Sequence, residues 1–213
     1  MDAKLLVSLI VNAAIAIATP LSWLQLMLSR EEDGVPLADR GLASLRYFTV
    51  LSNLFSGAVS LTCVVAYVVL GPAFPMWLLA LKLVAASAVM LTFTVVIVLL
   101  VPVYDLKSMY AGGNLWMHLA LPLLAAFDCC FLLPTGSLPW QATLFAMVPT
   151  ALYAVRYLGD VLRYGAEKDG VVYDFYHFLR WGRDKIPVVT ASALASTWVL
   201  ALVLYGVSRL FCA

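Results

Sequence analysis

The sequence predicts an all-α integral membrane protein: a single domain over residues 1–213, built as a six-transmembrane-helix bundle. Three observations predict it. Hydrophobic residues make up 64% of the chain and charged residues 12%, where a soluble domain carries about 25% charged. Six apolar runs each reach the length of about 20 residues that a helix needs to cross a bilayer. They are too long for barrel strands, and the breaks between them collect Gly, Pro and charge.

The runs follow in order. The first covers roughly 4–28. Met1-Asp2-Ala3-Lys4 leads into a stretch too long for a signal-peptide core, and Thr19-Pro20 is a poor cleavage site, so this run is expected to remain as a helix of the mature protein. The second, roughly 44–70, begins near Arg46. The third, roughly 76–101, follows the short link Gly71-Pro72-Ala73-Phe74-Pro75. The fourth, roughly 115–134, follows Ala111-Gly112-Gly113-Asn114, in which Asn114 is the expected N-cap. The fifth, roughly 140–163, follows the short link from Thr135 to Pro139, and the sixth covers roughly 187–211. The two short links predict antiparallel neighbours: runs two and three, then four and five. No internal repeat is visible, so the inverted-repeat signature of many secondary transporters is missing.

Charge sets an expected orientation. The face holding the first, third and fifth connections carries Arg30, Arg40, Arg46, Lys107, Arg156, Arg163, Lys168, Arg180, Arg183 and Lys185. The opposite face has Lys4, Lys82 and Arg209. The positive-inside rule makes the first face cytoplasmic and puts both termini outside; Glu31, Glu32, Asp33 and Asp39 do not enter that count. Net charge is +1 and no basic stripe is present, which argues against nucleic acid as a partner. Cys63, Cys129, Cys130 and Cys212 lack metal-type spacing and read as small apolar fillers. Tyr173 to Trp181 mixes rings with charges, which is interfacial chemistry. A surface-lying connector is its expected role, ahead of ligand binding by His177.

Polar groups at membrane depth cost free energy and need a reason. His118 lies within Leu115-Trp116-Met117-His118-Leu119-Ala120-Leu121-Pro122 and is one of two histidines in the chain. On the second run, Thr49, Ser52, Asn53, Ser56 and Ser60 recur at three- and four-residue steps and form one polar stripe. Such a stripe faces protein or water: close helix approach is the expected role of Ser56 and Ser60, whereas Asn53 is weighed between packing and a site. Thr49 and His118 both fall about 5 Å below the cytoplasmic-side surface, at ~1.5 Å per residue. A hydroxyl and an imidazole at one level are the parts of a nucleophile–base pair. A position near the start of the fourth helix disfavours imidazolium, and its free N–H groups with Gly112 and Gly113 suit an anion or oxyanion, although a plain loop is the favoured reading of the glycines. Lys82 and Asp128 share a depth of about 9 Å from the other face and are expected to pair, as structure more than catalysis. Arg156 and Asp160 make an i,i+4 pair; Arg156 either holds a carboxylate or phosphate or snorkels to the surface.

Arg46-Tyr47-Phe48-Thr49-Val50-Leu51-Ser52-Asn53 and Asn114-Leu115-Trp116-Met117-His118-Leu119-Ala120-Leu121-Pro122 resemble the two signature segments of the androgen-induced and androgen-dependent transmembrane hydrolases. Ser52-Asn53 and Asp128 bring the chain nearer to the bacterial six-pass relatives of that family. The resemblance implies Thr49 as nucleophile and His118 as base, acting on fatty acid esters of hydroxy fatty acids or another lipid ester. It also implies the inner membrane of a bacterium. Asn53, the Gly112/Gly113/Asn114 backbone and Arg156 are then candidates for substrate or oxyanion binding. Membrane lipids are the expected partners, no cofactor motif is present, and a lone intramembrane histidine argues against a metal. Two other classes stay open: a small transporter or channel using Lys82, Asp128 and His118, and a non-catalytic membrane scaffold.

Overall fold

The computed structural model describes residues 3–28, 41–71, 74–102 and 106–212. Arg30, Arg40 and the acidic cluster of the first connection lie outside them, as do Pro72 and Ala73.

Among the described residues, five helices are long and apolar enough to cross a membrane: α1 (Ala3–Leu28), α2 (Phe48–Leu70), α3 (Met76–Leu100), α4 (Gly113–Leu132) and α6 (Ile186–Phe211). The fifth run differs. It divides into a 3₁₀ stretch, Trp140–Ala146, and α5, Met147–Tyr164. Arg156, Asp160 and Arg163 occupy the second half of α5, so its apolar share is too low for it to join the other five.

α3 is the axis of the bundle. Leu83 to Val89 is buried without a break, and α3 packs against α2, α4, α5 and α6. This is the pattern of a helix that is apolar all round. α1 lies against α2 and α4. Gly57 sets the first contact, because a Cβ there would stand 2.9 Å from Thr19 Cβ. Gly113 sets the second, where a Cβ would meet Ser22 O at 2.9 Å. Small residues let helices approach this closely where lipid offers no hydrophobic drive.

Runs two and three pack as antiparallel neighbours, but α4 and α5 do not share a face. α6 touches both and lies between them. The link joining them crosses the last turns of α6: Gly136 N–H donates to Ser208 Oγ at 2.9 Å, and Ser208 Oγ donates to Leu133 O at 3.1 Å. Only glycine fits at 136, since a Cβ would meet Arg209 N at 2.3 Å.

α4 is not a uniform α-helix. Trp116–Ala120 and Asp128–Leu132 are π-helical turns. Pro122 accounts for the first, because its ring would clash with the His118 carbonyl in α geometry. The wider turn avoids this, with Leu121 N–H bonded to Trp116 O. The helix also starts earlier than Asn114. Gly112, at φ +53, makes the turn into it, and Asn114 sits inside the first turn without capping it.

Between α5 and α6 the chain forms a two-stranded hairpin, β1 (Glu167–Lys168) and β2 (Val171–Val172). Asp169 and Gly170 have φ of 54° and 77°, the left-handed pair that a two-residue hairpin turn needs.

Candidate functional site

Two groups of polar residues buried at depth hold the candidate site residues. The first is centred on Lys82, which is 1% exposed, and Asp128, which is 0% exposed. Lys82 Nζ lies 2.9 Å from Asp128 Oδ2. It also donates to Asn12 Oδ1 at 2.6 Å and Ser60 Oγ at 3.1 Å, so all three ammonium protons have acceptors. Asp128 accepts from Ser8 Oγ at 2.6 Å and Asn12 Nδ2 at 2.8 Å. The group ties α1, α2, α3 and α4 together and leaves neither charge unpaired. Sequence reasoning missed Ser8 and Asn12; the available signal was their i,i+4 spacing on one face of an otherwise apolar helix.

The second group lies near the Arg46 end of α2. Thr49 is in its first turn and 8% exposed; His118, on the π-turn of α4, is 4% exposed. Asn53 joins the two helices at this level, its amide Nδ2 donating to Thr49 O at 2.8 Å and Met117 O at 3.1 Å. His118 Nδ1 lies 2.8 Å from Met109 O, on the short helix Leu106–Met109 that precedes α4. A carbonyl only accepts, so Nδ1 carries the proton and Nε2 is the basic nitrogen of the neutral ring. No hydrogen bond joins Thr49 to His118.

Thr49 lines a chamber of about 390 Å³ that also takes in Thr92, Thr150, Tyr153, Tyr176 and Ser196, together with apolar groups of α3, α5 and α6. His118 is not part of its wall. Hydroxyls supply its polar surface and no charged side chain lines it. Phe48 and Tyr153, whose ring centroids are 5.1 Å apart, separate it from a groove of about 840 Å³ on the outer surface between α2, α3 and α5. Arg156 stands on that groove.

The other site candidates are placed as follows. Arg156 is exposed and makes no ion pair with Asp160; its guanidinium donates to Leu45 O at 3.4 Å. It is not at the Thr49 chamber. Asn114 is fully buried near α1, and neither amide atom has a hydrogen-bond partner. Asn53 spends its amide protons on two carbonyls, which leaves none for an oxyanion. Neither asparagine lines the Thr49 chamber.

The connector from Tyr173 to Trp181 does more than lie on the surface. Asp174, 5% exposed, accepts from Tyr157 Oη at 2.5 Å, Phe178 N at 2.7 Å and Leu179 N at 2.8 Å. Arg46 donates to Val172 O and stacks over Phe175, 5.0 Å from the ring centroid. So anchored, the connector delivers the Tyr176 phenol to the start of α2, where Phe48 N–H donates to it at 3.0 Å. Sequence reasoning did not single out Tyr176. Among the described residues no cluster of metal-ligating side chains is found.

The chain matches no family model, no curated protein and no solved structure.

Proposed function

We propose that the protein is an intramembrane lipid-ester hydrolase, with Thr49 as nucleophile and His118 as general base. One observation carries the reading. The Thr49 hydroxyl lines a chamber within the apolar bundle, and Asn53 ties its helix to the one on which Nδ1–H of His118 is committed to a carbonyl, leaving Nε2 basic. The chamber volume of about 390 Å³ falls within the ~300–1,000 Å³ of small-molecule sites. Its lining has hydroxyls to hold an ester and no charge to repel an acyl chain.

In the proposed reaction, substrate draws the two side chains into reach, as catalytic hydrogen bonds often tighten only in the complex. His118 Nε2 takes the Thr49 proton while Oγ1 bonds to the ester carbonyl carbon. The bond from that carbon to the alcohol oxygen breaks, and the alcohol leaves with the proton from His118. Water, deprotonated by the same nitrogen, attacks the acyl-threonine, releases the acid and restores the hydroxyl. The motif resemblance supports the same assignment and points to esters of hydroxy fatty acids. In this reading α5 completes a six-helix bundle, with both termini on the outer face of a bacterial inner membrane. The transporter alternative draws less support, because Lys82 and Asp128 are fully committed to each other and to α1.

The test is hydrolysis of a fluorogenic lipid ester by purified protein in detergent. Thr49→Ala and His118→Ala are each expected to abolish turnover. Wild-type rates in both would discard the reading.

A further inference from the structure

The outer groove between α2, α3 and α5 plays no part in the proposed hydrolysis. Its floor is apolar, with Leu51, Phe55 and Val84, and Leu81, Val148 and Leu152 stand exposed along it. Large apolar side chains exposed together on a bundle of membrane-length helices mark a surface that meets lipid. The hydroxyls of Ser52 and Tyr153 also reach the groove, but both are bonded inside the protein, to Thr49 O and Thr92 Oγ1 and to Arg46 O.

Among the described residues, Arg156 is the one charged side chain in the lining. It stands at the Arg46 end of α2, where its guanidinium donates to Leu45 O at 3.4 Å, and Trp77 marks the opposite end at the start of α3. That single long bond leaves most of the guanidinium N–H donors unused. Among the described residues no carboxylate pairs with it, Asp160 one turn further along α5 included. The groove therefore has a positive end and an apolar body, which is the charge pattern that complements an anionic amphiphile.

Dimensions narrow the choice. From Val148 to Arg156 the α5 wall runs about 12 Å at ~1.5 Å per residue, most of the ~15 Å depth of one leaflet of the hydrocarbon core. The groove volume of about 840 Å³ lies toward the upper end of the ~300–1,000 Å³ of small-molecule sites, which suits a two-chain lipid better than a single fatty acid.

We propose that the groove is a binding site for an anionic glycerophospholipid of the surrounding bilayer, its phosphate held by Arg156 and its acyl chains lying along α5 toward Val148. The chains supply little preference, because the tails outside the groove are as apolar as its walls. Selection rests on the headgroup. A guanidinium meets two phosphate oxygens with parallel N–H bonds, a fork that lysine does not reproduce. Phosphatidylcholine carries the same phosphate, but its own ammonium offsets the charge.

The test is native mass spectrometry of the full-length protein in non-ionic detergent, incubated with dioleoyl phosphatidylglycerol, dioleoyl phosphatidylcholine or oleate at equal concentrations. Wild type is expected to retain phosphatidylglycerol in preference to the other two. Arg156→Gln is expected to lower that retention about tenfold, the loss of one charge-assisted contact, and Arg156→Lys to recover part of it. Leu81→Trp fills the groove and leaves Arg156 in place; it is expected to lower retention as well, with a thermal midpoint near that of wild type. Arg180→Gln removes a cation that stacks over Trp181, 4.2 Å from its ring centroid and outside the groove, and is expected to change nothing. Wild-type retention in Arg156→Gln, or an equal loss in Arg180→Gln, overturns the site. Equal retention of phosphatidylcholine overturns the charge selection, and tighter retention of oleate makes the occupant a fatty acid and overturns the proposal. None of these readings involves ester turnover, so the proposal stands or falls separately from the hydrolase reading.

Discussion

The ring of His118 is held by a carbonyl, and that partner decides which nitrogen is basic. Thr49→Val, which keeps the shape and removes the hydroxyl, is expected to lose ester turnover, whereas Thr49→Ser retains part of it; initial rates on one substrate distinguish the two. Asn53 is the tie between the helices that carry the pair. Asn53→Leu gives up its bonds to both carbonyls and is expected to cost about 1–3 kcal/mol, read from unfolding in mild detergent. Tyr176 brings a pH dependence. Burial holds its phenol above the ordinary value of 10.0. The unfolded phenol ionises first, so this residue's contribution to stability is complete below about pH 10 and declines above it. Thermal midpoints taken across that range should fall in wild type and fall less in Tyr176→Phe. Much of this scale was legible in the sequence: hydropathy set the depths of Thr49, His118, Lys82 and Asp128. Tyr176 was not, because a contact between residues so distant in sequence leaves no trace in any local period. Asn114 and Arg156 do not line the Thr49 chamber; depth alone does not specify direction around a helix.

At the scale of elements, α4 carries His118 and Asp128 each on a π-turn. Such turns commonly mark functional positions, because the extra residue swings a side chain out of α register. Pro122→Ala removes the obstacle that widens the first turn. It is expected to restore α geometry, turn His118 away from Met109 O and reduce ester turnover without lowering the thermal midpoint; activity and melting measured on the same preparation check both parts. Hydropathy located the five membrane-length helices to within a few residues, because the bilayer sets their length. It could not show the π-turns, which depend on how one proline meets one carbonyl. It also overstated the fifth run, where apolar residues alternate with Arg156, Asp160 and Arg163 to give a two-faced helix. The Asp169-Gly170 pair carries a hairpin signal that sequence reasoning did not single out.

For the molecule as a whole, the Lys82–Asp128 group joins four helices at one point. Removing one charge strands the other, fully buried, without its counter-charge. Lys82→Met or Asp128→Asn alone is therefore expected to destabilise by about 3–5 kcal/mol, while Lys82→Met with Asp128→Leu recovers most of the loss. Denaturant unfolding of the three variants in detergent gives the comparison. The crossing of the 133–139 link over α6 bears on how the protein is made. A ribosome delivers α4 and α5 to the membrane before α6 exists, joined by a link too short to let them drift apart. α6, made after them, must then enter between them, and Gly136 closes over its end only at that point. A chain stopped before Ile186 would leave bare the surfaces of α3, α4 and α5 that α6 covers.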